Sequence, residues 1–125
     1  MPELRTGIDL IEICRLEELD PSIRQRFLER VFTPLELEQA ADSLAVLAGR
    51  FAAKEAVAKA LGTGIGPVSW QEIEITRGAE GQPLLHLSGR ALQIAQQQGL
   101  ETWSISITHN RTTAAAVAVA IGGTG

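Results

Sequence analysis

Two charged side chains four residues apart, Glu55 and Lys59, carry the strongest chemical signal in this sequence. They stand in the stretch Leu47–Pro67, LAGRFAAKEAVAKALGTGIGP, whose Ala-rich, Pro-free first part predicts a helix closed by Gly62. At about 100° per residue, Glu55 and Lys59 fall about 40° apart on one face. Phe51, Ala58 and Gly62 flank them on one side, Ala48 and Ala52 on the other. So few polar neighbours predict a carboxylate and an ammonium held against packed surface. Burying charge without a partner is costly, so the spot calls for a counter-charge, a metal ion or an anionic ligand. The chain has nine Arg and only two Lys, and both lysines, Lys54 and Lys59, lie in this helix. Lysine is a compact point charge and arginine a planar fork, so the placement hints that the site needs the former. An ordinary i,i+4 surface pair also fits the helix taken alone.

A second acid stands far away in sequence. Thr6–Ile13, TGIDLIEI, is apolar on both faces and predicts a buried first strand, with Asp9 in its middle and Glu12 near its end. An acid there asks for a cation, unless Asp9 merely caps a turn after Gly7. The run Gly62-Thr63-Gly64-Ile65-Gly66-Pro67 is neither a P-loop nor a dinucleotide fingerprint, because its glycines follow a helix instead of preceding one. The dipole at that end repels anions, so a phosphate there needs Lys59 or a metal, with the glycines only permitting close approach. A flexible C-terminal turn is the plainer alternative. His109 and Asn110 end a strand, Thr102–Thr108, that sets Trp103, Ile105 and Ile107 against Ser104, Ser106 and Thr108. Strand ends are where ligand groups gather in α/β folds. Two carboxylates, a lysine, a glycine loop and a histidine together suit Mg²⁺, which is held by one or two carboxylates plus substrate phosphates. The predicted chemistry is Mg²⁺-dependent phosphoryl-type transfer, with the lysine stabilising charge on the transferring phosphate.

The elements that must position these groups are legible in outline. At 125 residues the chain is expected to form one domain, residues 1–125. Apolar content of 45% with 4% aromatics and no Tyr predicts an aliphatic, Ala-rich core. A net charge of −4 and a pI near 5.1 argue against nucleic-acid binding. No apolar run is long enough to span a bilayer, the start lacks a signal pattern, and the single Cys14 excludes an internal disulfide. A soluble protein of a reducing compartment, the cytoplasm, is expected. Asp20-Pro21 and the capping box Thr33-Pro34-Leu35-Glu36 start two helices, and Asp42 or Ser43 starts the long one. Arg15, Arg24, Arg26 and Arg30 gather on an otherwise acidic chain, either as a docking patch for an acidic partner or as a solvated face among Glu17, Glu18, Asp20 and Glu29. Trp70–Thr76 and Leu84–Leu87 read as a hairpin in which His86 is structural, followed by a helix from Ser88 or Gly89 to Gln98. Thr113–Ile121, small and apolar on both faces, predicts a central or interface strand, and Gly122–Gly125 a disordered tail. The fold class is α/β (α+β), an antiparallel sheet with the long helix packed across it.

GIDLIEICRLE, FLERVFTPLELE, FAAKEAVAKALGTGIG and SISITHNRTTAAAVAVA, in this order, resemble the successive motifs of the holo-acyl-carrier-protein synthase family, the small trimeric group of the 4′-phosphopantetheinyl transferases. The resemblance covers nearly the whole chain. It implies the 4′-phosphopantetheinyl transferase fold, a homotrimer with active sites between subunits, and a role in fatty acid biosynthesis. It also implies transfer of 4′-phosphopantetheine from coenzyme A to a serine of apo-acyl carrier protein, releasing adenosine 3′,5′-bisphosphate. By the matching positions, Asp9 and Glu55 would bind Mg²⁺ and Lys59 would contact the phosphates. Thr108, His109 and the backbone of Gly62, Gly64 and their neighbours would line the coenzyme A pocket. Arg15, Arg24 and Arg26 would dock the carrier. The chain departs from the family where a second glycine often precedes the acid, having Arg5 and Thr6 there, and the segment between Glu38 and Gly49 is short. Thr108 replaces the commoner serine and preserves the hydroxyl. Two rivals use the same residues: a Mg²⁺-dependent phosphate-ester hydrolase, and a non-catalytic oligomeric binding module with Glu55–Lys59 as an interface ion pair. A thiol enzyme is disfavoured, since nothing around Cys14 provides a nucleophile motif.

Overall fold

The helix-starting signals act where the sequence places them. In the computed structural model, which describes residues 3–123, Asp20 caps α2 (Pro21–Val31) by accepting from the Ser22 N–H. Thr33 and Glu36 close a reciprocal capping box on α3 (Pro34–Ala40). Ser43 caps α4 (Leu44–Leu61), accepting from the Val46 N–H, and Gly62 ends it in the left-handed conformation. Two consecutive left-handed residues, Ala41 and Asp42, make the connection between α3 and α4 as short as the sequence suggests. The remaining elements are β1 (Glu3–Glu12), α1 (Cys14–Glu17), a 3₁₀ turn (Trp70–Glu72), β2 (Ile73–Arg77), β3 (Pro83–Leu87), α5 (Gly89–Gln97), β4 (Leu100–His109) and β5 (Thr113–Gly122).

The fold is α+β with antiparallel sheets. One sheet has the order β1-β5-β4, and β2-β3 forms a separate hairpin. Helix α4 lies across the three-stranded sheet, and its Ala52, Ala53, Ala56 and Val57 pack with Ala116, Ala118 and Ala120 of β5 in the main core. That core is aliphatic and Ala-rich, as the composition predicts. Small side chains on both surfaces let helix and sheet approach closely. The limit is reached at Gly7 of β1, where a Cβ would overlap the Ala56 carbonyl oxygen.

Two expectations are corrected. The first strand is an edge strand that starts at Glu3, and Leu4, Ile8 and Leu10 stand exposed instead of buried. The row Arg5, Gly7, Asp9 and Ile11 turns toward α4, because alternation sends the other aliphatics to the opposite face. Gly122 is no tail residue: it closes β5 opposite Glu3 and packs against Gly99, while Thr124 and Gly125 lie outside the described residues. His86 lies in the hairpin strand that the sequence predicts, exposed and opposite Glu74. The central strand expected at Thr113–Ile121 is β5.

Candidate active site

Gly7 is what lets the acids meet. With α4 seated directly on β1, the next inward residue of the strand, Asp9, comes up beside the helix face that carries Glu55 and Lys59. The Lys59 ammonium donates to Asp9 Oδ1 at 3.1 Å and to the Ile8 carbonyl at 2.9 Å. Glu55, one turn earlier, is half-buried. Burial pushes its carboxyl above the usual range, the Asp9 charge adds to that, and Lys59 pulls back. Two carboxylates thus repel each other across one ammonium, an arrangement that a divalent cation relieves. Among the described residues no three or more His, Cys, Asp or Glu side chains are grouped so that they could hold a metal ion. The pair Asp9 and Glu55 could supply two carboxylates to a hard cation completed by waters and phosphate oxygens.

The glycine loop contributes shape more than donors. Gly62, Gly64 and Gly66 all have positive φ, and a Cβ on Gly64 or Gly66 would meet open space. Four of its amides are already engaged: Gly62 N–H donates to the Lys59 carbonyl, Thr63 and Gly64 to that of Ala58, and Gly66 to that of Val68. An anion over this loop must draw its neutralisation from side chains.

The other predicted residues are spread over the molecule. His109 ends β4 and lines a cavity of about 230 Å³ with Gly49, Arg50, Arg77, Gly81 and Pro83. It does not join the Asp9 cluster in this chain, since β1 and β4 are opposite edges of the sheet, roughly 10 Å apart across β5. Thr108, one residue earlier, faces the opposite side beside Ile8 and Ser106. Arg15 and Arg26 are exposed. Arg24 is half-buried, and its guanidinium donates to the carbonyls of Leu16 at 3.4 Å and Glu17 at 3.2 Å, closing α1. The Cys14 thiol is pushed up by burial and by Glu18 and Glu12, the reverse of nucleophile activation.

Lys54 corrects the reading that paired both lysines with the site. It is wholly buried, donating to Glu36 at 2.8 Å and to the carbonyls of Trp70 and Ile73. Burial pushes its ammonium down and the Glu36 carboxylate pulls it back. A signal was present, for Lys54 falls in the helical strip of Leu47, Arg50 and Leu61. Sequence reasoning also missed Arg50 and Arg77, which face the His109 cavity together. Arg50 is buried, and burial and the Arg77 charge push its guanidinium down.

An α+β fold that sets a strand acid, a helix acid and a helix lysine on one seam matches a known class. The model of the 4′-phosphopantetheinyl transferase superfamily matches residues 5–120, and the chain belongs to that superfamily. It is similar to the holo-acyl-carrier-protein synthase of Moorella thermoacetica, 50% identical over 121 residues, covering 93% of this chain and 92% of that protein. That of Herpetosiphon aurantiacus is 44% identical, covering 95% and 99% respectively. The crystal structure of Helicobacter pylori holo-acyl-carrier-protein synthase in complex with coenzyme A superposes with a TM-score of 0.83 at 35% identity, over 92% of this chain and 98% of that one.

Proposed function

We propose that this chain transfers 4′-phosphopantetheine from coenzyme A to a serine of apo-acyl carrier protein, giving holo-acyl carrier protein and adenosine 3′,5′-bisphosphate. The observation that carries this reading is the meeting of Asp9, Glu55 and Lys59 at the α4–β1 seam. Asp9 and Glu55 would hold Mg²⁺, which when bound supplies charge neutralisation for a pyrophosphate. Lys59, half-exposed and bonded to Asp9 and the Ile8 carbonyl, has one donor left for a phosphate oxygen and offsets charge growing on the departing bisphosphate. Thr108, His109 and the space above Gly62 and Gly64 would receive the remainder of the coenzyme.

We further propose a homotrimer, each chain acting as a single domain. Leu4, Ile8 and Leu10 expose an apolar strip on β1, continued by Ile121 of β5. Covering it with a second copy is also how His109 of one subunit could complete the Asp9 cluster of another. Arg15 and Arg26 are free to dock an acidic carrier, with Arg24 buttressing α1 behind them. No helix among the described residues is long and apolar enough to cross a membrane, in keeping with a cytoplasmic role in fatty acid biosynthesis.

Mass spectrometry of apo-acyl carrier protein after incubation with the chain, coenzyme A and Mg²⁺ tests the reading. The carrier should gain one phosphopantetheine, and chelation should abolish the gain. Consumption of coenzyme A without a carrier would instead indicate a hydrolase, and no Mg²⁺-dependent coenzyme A binding a non-catalytic module.

A further inference from the structure

Because the amides of Gly62, Thr63, Gly64 and Gly66 are engaged within the chain, side-chain cations decide whether an anion can sit at the C-terminal end of α4. The helix dipole opposes that anion. Lys59 is one cation at this end, and it is shared with Asp9. The other, Arg5, takes no part in the chemistry described above. It sits on β1 four residues before Asp9, and its Nη1 lies 3.5 Å from the Ala60 carbonyl oxygen. A Cβ built on Gly62 would lie 3.6 Å from the same nitrogen, so the guanidinium borders the first glycine of the loop. Its Nε is held by Glu3 at 2.7 Å, and about a third of the side chain is exposed.

Guanidinium carries five donors in a planar fork that matches phosphate geometry. Glu3 takes one and Ala60 a second, weakly; among the described residues Nη2 has no partner. A helix-end cation needs only proximity to the carbonyls. Clamping Nε with a carboxylate fixes the plane of the fork and leaves its outer edge unengaged beside the loop.

We propose that Arg5 is a second phosphate-binding cation of the coenzyme site, working on affinity where Lys59 works on turnover. The inference rests on the coenzyme reading above and adds to it a residue that neither the Asp9 cluster nor the glycine loop includes. Lys59 has to serve Asp9 as well as substrate, whereas Arg5 meets its carboxylate partner through Nε and can engage phosphate without breaking that pair.

Calorimetric titration of coenzyme A in Mg²⁺, at low and high salt, together with steady-state kinetics, tests this on the wild type, Arg5→Gln and Arg5→Lys. Arg5→Gln should weaken binding and raise KM about five- to tenfold, as expected for a charge-assisted contact at a half-exposed site. Its kcat should stay within about twofold of wild type. The salt dependence of binding should shrink, and Arg5→Lys should restore part of both. Unchanged affinity with a lower Tm would overturn the proposal and leave Arg5 as a helix-end cation. A fall in kcat at unchanged KM would overturn it too. If the wild type itself binds no coenzyme A, the proposed function falls and this inference with it; wild-type binding matched by Arg5→Gln removes only the inference.

Discussion

Glu55 sits where it is least comfortable. Its carboxyl is pushed above the ordinary value of 4.5 by burial first and by Asp9 second. A group that binds its proton more tightly folded than unfolded contributes stability that is present below the unfolded pKa and lost as pH rises through the folded one. Without metal, Glu55→Gln should therefore melt at a higher temperature than wild type at pH 7. The gap should close as the pH falls toward about 3, below the unfolded pKa, where the carboxyl is protonated in both states. Thermal melts in a chelator at the two pH values check this, and transferase activity of the variant should be lost at both. Lys59 acts differently. Its ammonium is half-exposed and bonded to Asp9 and Ile8, so the fold does not hinge on it. Lys59→Ala should lower kcat by about 10²-fold or more while raising KM for coenzyme A far less, because its worth is realised as charge develops. Steady-state kinetics on folded variant separates the two constants.

Helix α4 carries Glu55 and Lys59 of the cluster, and its position is set by what surrounds it. On the sheet side the absence of a side chain at Gly7 sets the depth of contact. On the far side Lys54 ties the helix to α3 through Glu36 and to the 3₁₀ turn and β2 through the Trp70 and Ile73 carbonyls. Glu36 also accepts from the Ile75 N–H, so one buried pair locks three elements around α4. Breaking such a pair by removing one partner costs about 3–5 kcal/mol. Gly7→Ala should force helix and strand apart, with an overpacking cost of about 1–3 kcal/mol. It should also lower activity although Asp9, Glu55 and Lys59 all remain. Urea denaturation and the transferase assay on the same preparation would show both losses; a stable variant of normal activity would mean that the seam tolerates a methyl group.

For the whole molecule, the exposed strip of Leu4, Ile8, Leu10 and Ile121 is the feature a lone chain cannot justify. Leu10→Asp should leave the stability of the single chain within about 0.5 kcal/mol, since the side chain is exposed in it. In the proposed trimer the same change buries a charge, so light scattering should report monomers and activity should vanish. Retention of the wild-type mass would place the interface elsewhere. Long-range charge belongs to this scale as well. The protein is acidic overall, at −4, so attraction of an acidic carrier has to be local. Arg15→Glu should slow carrier capture and flatten its dependence on ionic strength, read from kcat/KM for the carrier at increasing salt.

What the chain determined by itself was local. Ser43, Thr33 with Glu36, Asp20-Pro21 and Gly62 bound their helices because capping is satisfied within a few residues, and the alternation through Trp103, Ile105 and Ile107 marked β4 because its period is built into the backbone. The spacing of Glu55 and Lys59 was legible for the same reason. Tertiary packing decided the rest. Asp9 could be named as an anomalous acid, but only the contact at Gly7 turns it toward α4. Lys54 and Lys59 differ in sequence by little more than an angle, yet one is sealed against Glu36 and the other reaches Asp9. His109 and Asp9 ended on opposite edges of one sheet because β5, last in sequence, inserts between their strands. Such distances follow from strand order and from how closely two surfaces can approach, and neither is a property of any short stretch of residues.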